Sequence, residues 1–267
     1  MTILAFPVLM AGCQKPQGGL TVAGSTSVQP FAEVLAEEYM IRHTQEKIYI
    51  QGGGSSAGIQ AVLTGAAQIG MSSRNLSPQE QNLIAVPIAY DAIVVIVNPN
   101  NPLHNLSADA IRKIFSGEAT HWGELGGRNR PITLVTREEG SGTREAFQHL
   151  LMGKKEISLG ALVQDSNGAI RQVVADDPNA VGYISLGLVN KQVKALPIDG
   201  FEATLENIKQ HRYKIVRPFL FVFRNQPREM AKNFLDYCLS PAGQKLLVQE
   251  GLISVASVSG FPKGAGS

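Results

Sequence analysis

The chain alternates short runs rich in β-branched residues with longer stretches in which apolar residues recur every three or four positions. The first pattern suits strands buried in a sheet, and the second suits helices that lay one face on it. LTVAG (20–24) predicts a strand, and the stretch after it carries Phe31, Val34, Leu35 and Tyr39 on one helical face. Pro30 fits the first turn of that helix, where its missing N–H costs no hydrogen bond. IYIQ (48–51) predicts a second strand, followed by a short helix over GIQAVLTGA (58–66). PITLVTR (131–137) predicts another strand, followed by a helix over REAFQHLLMG (144–153). LSADAIRKIFSG (106–117) reads as an amphipathic helix capped by Ser107, and HWGELGG (121–127) as a turn packed by Trp122. Alternation of this kind predicts the α/β class.

Two longer apolar segments organise the chain. AVPIAYDAIVVIVNPNNP (85–102) reads as a strand pair ending in a turn, which carries the chain out of a first lobe. HRYKIVRPFLFVFR (211–224) reads as the β-rich return. Two crossings predict a discontinuous first lobe, 20–98 with 217–267, and an inserted second lobe, 99–216.

Composition narrows the function classes. Of 267 residues, 44% are hydrophobic and 17% charged, the profile of a packed globular chain. Lys+Arg 24 against Asp+Glu 22 leaves +2, so there is no general basic field and no nucleic-acid partner is expected. No apolar run reaches the ~18 residues of a spanning helix. Two cysteines cannot build a disulfide framework or a Cys-rich zinc site, and no H-x3-H, H-E-x-x-H or C-x-x-C pattern occurs. No metal and no cofactor is expected. Cys238 lies in a helical-looking stretch and reads as a buried, inert thiol.

Residues 1–12, MTILAFPVLMAG, carry no charge, and Cys13 and the polar QKPQGG follow. This resembles the tail of a bacterial lipoprotein signal peptide, with Cys13 as the lipid attachment point and 1–19 as signal remnant and linker. It departs from that pattern in having no Lys or Arg before Lys15, and Met10 where Leu is usual.

The chemistry concentrates at three strand-to-helix turns: GSTS (24–27), GGGSSAG (52–58) and EEGSGT (138–143). Gly permits close backbone approach, Ser and Thr offer hydroxyls, and the first N–H groups of a helix are unpaired at the positive end of its dipole. One such turn is a plain helix cap; three can converge on an anion. Residues 18–32 and 48–73 contain no charge, so an anion there would meet neutral donors. The one well-placed cation is Arg137, whose planar fork matches two oxygens of a tetrahedral oxyanion. Glu138 and Glu139 beside it pair with Arg137 or Arg144.

Gly54-Ser55-Ser56-Ala57-Gly58 also fits the G-x-S-x-G of a serine hydrolase elbow, with Ser56 as nucleophile. Against it, no HGGG-like oxyanion segment is present, and His104, His121, His149 and His211 sit in surface contexts. GSGT lacks the lysine of a nucleotide-binding P-loop.

In this order and spacing, GSTSVQPF, GGGSSAGIQAVLTGAAQIGMSSRNLS, IFSGEATHWGELGG, TREEGSGTREAF, SNGAIRQVV and NAVGYISLG resemble the phosphate-binding subunit of Pst-type ABC transporters. The likeness runs from about Leu20 to about Val255. It implies a type II periplasmic-binding fold: two α/β lobes on a two-strand hinge that close on orthophosphate. It implies no catalysis, a monomer that delivers its ligand to permease subunits, and residence in the periplasm or on the extracellular face, tethered through Cys13. By the same resemblance, Thr26, Ser27, Ser55, Ser56, Ser141, Gly142 and Thr143 supply hydroxyl and N–H donors, Arg137 the charge, and Glu139 orients Arg137. Many members carry an Asp where this chain has Ser73. A carboxylate there accepts the proton of hydrogen phosphate and repels sulfate; a hydroxyl does so less strictly. A binding protein for another oxyanion, such as sulfate, molybdate or tungstate, therefore remains the alternative.

Overall fold

The computed structural model describes residues 18–257. Cys13, and with it the expected lipid attachment, lies outside the described residues. In chain order the elements are β1 (Leu20–Gly24), α1 (Gln29–Arg42), β2 (Ile48–Gly52), α2 (Ser55–Thr64), β3 (Ile69–Ser72), β4 (Ile84–Val97), α3 (Ala108–Ser116), β5 (Thr133–Arg137) and α4 (Gly142–Phe147). After α4 the chain passes through one wide turn, Gln148–Met152, and continues with β6 (Leu162–Gln164), α5 (Asn167–Asp176), β7 (Ala180–Ser185) and β8 (Lys194–Leu196). α6 (Leu205–Lys209), β9 (Val216–Phe223), α7 (Glu229–Leu239) and α8 (Pro241–Gln249) complete it.

The strands join in the order β2-β1-β3-β9-β4-β7-β5-β6, with β8 also on β4. β1, β2 and β3 run parallel, as do β5, β6 and β7; β9 runs antiparallel to both β3 and β4. Two cores result. Phe31, Leu35 and Tyr39 of α1 pack with Val22, Ile88, Phe219, Phe221 and Phe234 in one. Ile111, Phe115, Trp122, Phe147 and Tyr183 pack with residues 92–97 in the other. Ile59 and Val62 of α2 close the far face of the first lobe's sheet against Leu220 and Val222. Local signals set the ends: Ser107 accepts from the Ala110 N–H to cap α3, and Trp122 is buried with its indole N–H on the Asn179 carbonyl. Cys238 is fully buried, and burial pushes its thiol pKa well up.

The segment 85–102 is not a strand pair. Its apolar run forms the single strand β4, because the turn-forming residues lie only at its end. Residues 84–92 pair with β9, and residues 93–97 with β7. Pro87, which has no N–H for the ladder, sits at a register shift. β4 and β9 thus run through both cores side by side. The change of core falls between Ala89 and Ala92 on β4 and between Val216 and Phe219 on β9.

Candidate functional site

The turns after β1, β2 and β5 meet where the two lobes face each other. Gly54 precedes α2 with φ 91°, a left-handed conformation that favours glycine, and its N–H donates to the Gly24 carbonyl. That turn delivers Ser55, fully buried, to the cleft floor. Ser55 Oγ accepts from the Ser73 N–H at 3.1 Å, which leaves its own hydroxyl hydrogen to give. Ser73, also fully buried, accepts from Ser25 Oγ at 2.9 Å.

The second lobe supplies the facing wall. Thr136 Oγ1 shares a 2.8 Å bond with the Tyr183 hydroxyl, and the Tyr183 ring stacks on Phe147 with centroids 4.0 Å apart. This anchors the end of β5, so the next side chain, Arg137, is held with 1% exposure. Arg137 Nη2 donates to Thr26 Oγ1 and to the Asp165 carbonyl, both at 3.0 Å. Its Nη1 is buried and meets no acceptor among the described residues. A buried guanidinium N–H without an acceptor is costly, so this atom calls for an anion. Thr143 Oγ1 shares a 2.7 Å bond with Ser27 Oγ of the first lobe. Gly142 packs so closely that a Cβ there would overlap Ser55 Oγ. Ser141, 1% exposed, caps α4 by accepting from the Arg144 N–H.

Thr26, Ser27, Ser55, Ser73, Arg137, Ser141, Gly142 and Thr143 therefore gather at one cleft. Ser56 stands apart: its Oγ accepts from Arg74 Nη2 at 3.3 Å and its N–H donates to the Gly140 carbonyl. The histidines among the described residues are all exposed, and the side chain bonded to Ser56 Oγ is Arg74. Glu139 is not the residue that orients Arg137. Glu138 is, receiving Arg137 Nε and Nη2 at 2.8 Å each, while Glu139 is exposed. The side chain that follows the end of β5 lies back along the guanidinium, and the next one turns outward.

Arg137 is also not the only cation near the anion donors. Arg217, 2% exposed, donates from Nη1 to Thr143 Oγ1 at 2.7 Å and to the Ser73 carbonyl at 3.3 Å. Its Nε and Nη2 bind Asp91 Oδ2 at 3.0 and 2.9 Å. Burial pushes the Asp91 carboxyl up and the Arg217 guanidinium down, and their mutual attraction opposes both shifts. Asn167, at the start of α5, donates to Ser27 Oγ at 2.8 Å. Sequence reading passed over these three. The available signal was a lone charge inside an apolar run, Asp91 within 85–102 and Arg217 within VRPFLFVF (216–223), and a fourth Ser/Asn/Gly turn at SNG.

Among the described residues, no cluster of three or more His, Cys, Asp or Glu could hold a metal ion. None of the described helices is long and apolar enough to cross a membrane. Buried hydroxyls and an arginine with an unpartnered N–H, gathered between two facing lobes, define a solute-binding protein for a small anion. A family profile described as the PBP superfamily domain matches residues 11–242. The chain is 34% identical over 253 residues to the phosphate-binding protein PstS of Bacillus subtilis, covering 92% of this chain and 84% of that one. A crystal structure of a phosphate ABC transporter substrate-binding protein with bound phosphate, from Clostridium perfringens, is 41% identical with a TM-score of 0.86. It covers 89% of this chain and 100% of its own. An ABC-type phosphate transport receptor from Vibrio cholerae is 37% identical with a TM-score of 0.73, covering 88% and 99%. The chain belongs to the PBP superfamily, with the type II periplasmic-binding fold, and within it to the PstS-type phosphate-binding proteins.

Proposed function

We infer that the protein binds inorganic phosphate in this cleft and delivers it to an ABC permease. The observation that carries the reading is Arg137 Nη1, buried without an acceptor among the described residues, on a guanidinium whose Nη2 reaches Thr26 in the cleft that also holds Ser55 and Thr143. The anion is held by Thr26, Ser27, Ser55, Ser73, Arg137, Ser141, Gly142 and Thr143, with Glu138 orienting the arginine. The residues come from two lobes, so the ligand's contacts are complete only when the lobes close. The change of core along β4 and β9 supports a hinge at residues 90–92 and 217–218. That hinge makes the first crossing earlier than the apolar run's end. The protein catalyses nothing itself. It works as a monomer in the periplasm or on the extracellular face, tethered through Cys13.

Ser73 in place of a carboxylate keeps a second oxyanion in view. Calorimetric titration of ligand-stripped protein with phosphate and then sulfate, at pH 6 and pH 8.5, tests both. Tight phosphate uptake with sulfate ignored supports phosphate transport. Equal binding makes the protein a broader oxyanion receptor, and no heat with either overturns the reading.

A further inference from the structure

The cleft contains a chain of hydroxyls whose polarity is set from outside it. Thr143 Oγ1 accepts from Arg217 Nη1 at 2.7 Å, and Ser27 Oγ accepts from Asn167 Nδ2 at 2.8 Å. Arginine can only donate. The Asn167 amide is fixed as a donor on that side, because its Oδ1 accepts from the Ser185 N–H at 3.1 Å. Thr143 and Ser27 share one bond of 2.7 Å between them. Two hydroxyls own two hydrogens, and one is spent on that shared bond. The other has to go to a third acceptor. Together the pair therefore presents one O–H donor to the cleft.

Arg217 is placed to do this by Asp91. The carboxylate takes Nε and Nη2 of Arg217 on one oxygen and the Ser185 hydroxyl, at 2.8 Å, on the other. Asp91 is fully buried on β4 and Arg217 sits opposite it on β9, in direct register where the two strands pass between the lobes. From there Nη1 reaches one residue of each lobe, Thr143 at the start of α4 and the Ser73 carbonyl at the end of β3.

We propose that Arg217, clamped by Asp91, is a positioning residue of the anion site: it turns the Thr143–Ser27 pair into a hydrogen-bond donor toward the ligand. It does this from the hinge, without touching the anion. Its contact to Thr143 crosses from the hinge to the second lobe, so closure and donor polarity are set by the same side chain. The proposal rests on the phosphate reading of the cleft.

The test is a double-mutant cycle read by calorimetric titration with inorganic phosphate. Asp91→Asn with Arg217→Gln removes both charges, so neither is left buried alone. This pair of changes is expected to weaken phosphate binding about tenfold, the loss of one aligned donor. Thr143→Val alone is expected to cost at least as much. Added to Thr143→Val, the Asp91/Arg217 changes are expected to cost less than about twofold more, because the hydroxyl they act through is gone. A merely structural role would lower thermal stability and weaken binding by the same factor in both backgrounds. Losses that multiply, or an Asp91→Asn/Arg217→Gln protein that binds as wild type does, would overturn the proposal. Arg217→Lys, which keeps a charge beside Asp91, gives the same cycle if the neutral pair does not fold. Wild-type protein that takes up no phosphate would overturn the phosphate reading and this proposal with it, whereas intact wild-type binding with multiplying losses removes this proposal alone.

Discussion

Arg74 Nε lies 2.7 Å from Glu145 Oε2, an ion pair that spans the mouth of the cleft from the segment after β3 to α4. Arg74 also forms a two-pronged bond with Glu80, at 2.7 and 3.0 Å, and reaches Ser56 Oγ. Nearby, the Ser56 N–H donates to the Gly140 carbonyl across the same gap. Of these, the Arg74–Glu145 pair and the Ser56–Gly140 bond cross from one lobe to the other and need the lobes together, whereas the bonds from Arg74 to Glu80 and Ser56 stay within the first lobe. Glu145 is about half exposed, so the pair contributes at most ~1 kcal/mol and is screened by salt. Glu145→Gln is expected to weaken phosphate binding up to about fivefold at low ionic strength and to make the affinity less salt-dependent. Titrations at two salt concentrations check this; an equal salt response in both proteins would show that the pair does not latch the cleft.

Arg137→Ala removes the Nη1 donor and leaves Glu138 without its partner. A charged hydrogen bond contributes about 1.5–3 kcal/mol, so a loss of roughly ten- to a hundredfold in phosphate affinity is expected. Thr143→Ala should cost less, since Ser27 and the backbone N–H groups remain. Adding Glu138→Gln to Arg137→Ala should recover part of the loss by removing a carboxylate that repels the anion. Equal losses from Arg137→Ala and Thr143→Ala would rule out Arg137 as the main charge partner.

Gly142→Ala tests closure separately from folding. The added methyl would meet Ser55 Oγ and Ser73 Oγ across the cleft, while alanine itself suits a first helical position. The variant is expected to keep its melting temperature without phosphate and to lose at least about a hundredfold in affinity, since overlap of this kind costs several kcal/mol. Small-angle scattering with phosphate should report a form that stays open. Near-normal binding would mean that the lobes meet less closely than this.

Ser73→Asp places a carboxylate beside Ser25 Oγ and Ser55 Oγ. A buried acceptor of this kind pairs with the proton of hydrogen phosphate and faces sulfate unpaired, at a cost of roughly 1–3 kcal/mol. The ratio of phosphate to sulfate affinity should therefore rise about ten- to a hundredfold. An unchanged ratio in competition titrations would mean that residue 73 does not face the ligand's proton.

Acid should loosen the rim before the cores. The two bonds from Arg74 hold the Glu80 carboxyl below its usual range, as does the Ser77 N–H. A carboxyl with a lowered folded pKa contributes stability above its ordinary value near 4.5, and that contribution fades as pH falls through the folded value. Glu80→Gln should lower the melting temperature by about 2–4 °C at pH 7 and by progressively less below pH 4.5. A deficit that stays constant on acidification would show that the ion pair is not its source.

Much of this arrangement is legible in the sequence, because it depends on neighbours along the chain. The strand over LTVAG, the Ser107 cap and the buried Trp122 follow from local pattern and local chemistry. The Gly/Ser/Thr turns name their own donors. What escapes the sequence is sidedness and partnership. Glu138 and Glu139 are chemically alike, and only the path of the chain after β5 decides which one lies along Arg137. Asp91 and Arg217 are 126 residues apart, and neither announces the other until β4 and β9 are paired. The single strand β4 was hidden by length: the apolar pattern is the same on both sides of the point where one lobe's core gives way to the next, and Asp91 is the one charge that marks it.

Each of the two arginines deepest in the cleft, 1% and 2% exposed, arrives with its own carboxylate, Arg137 with Glu138 and Arg217 with Asp91. Those four groups sum to zero, so they cast little field beyond the cleft, and a distant anion is not drawn inward by them. Capture then depends on ordinary collision, and discrimination begins only at contact, where aligned N–H and O–H groups replace the ion's water. Ionic strength should act on how long the lobes hold their cargo far more than on how fast they find it.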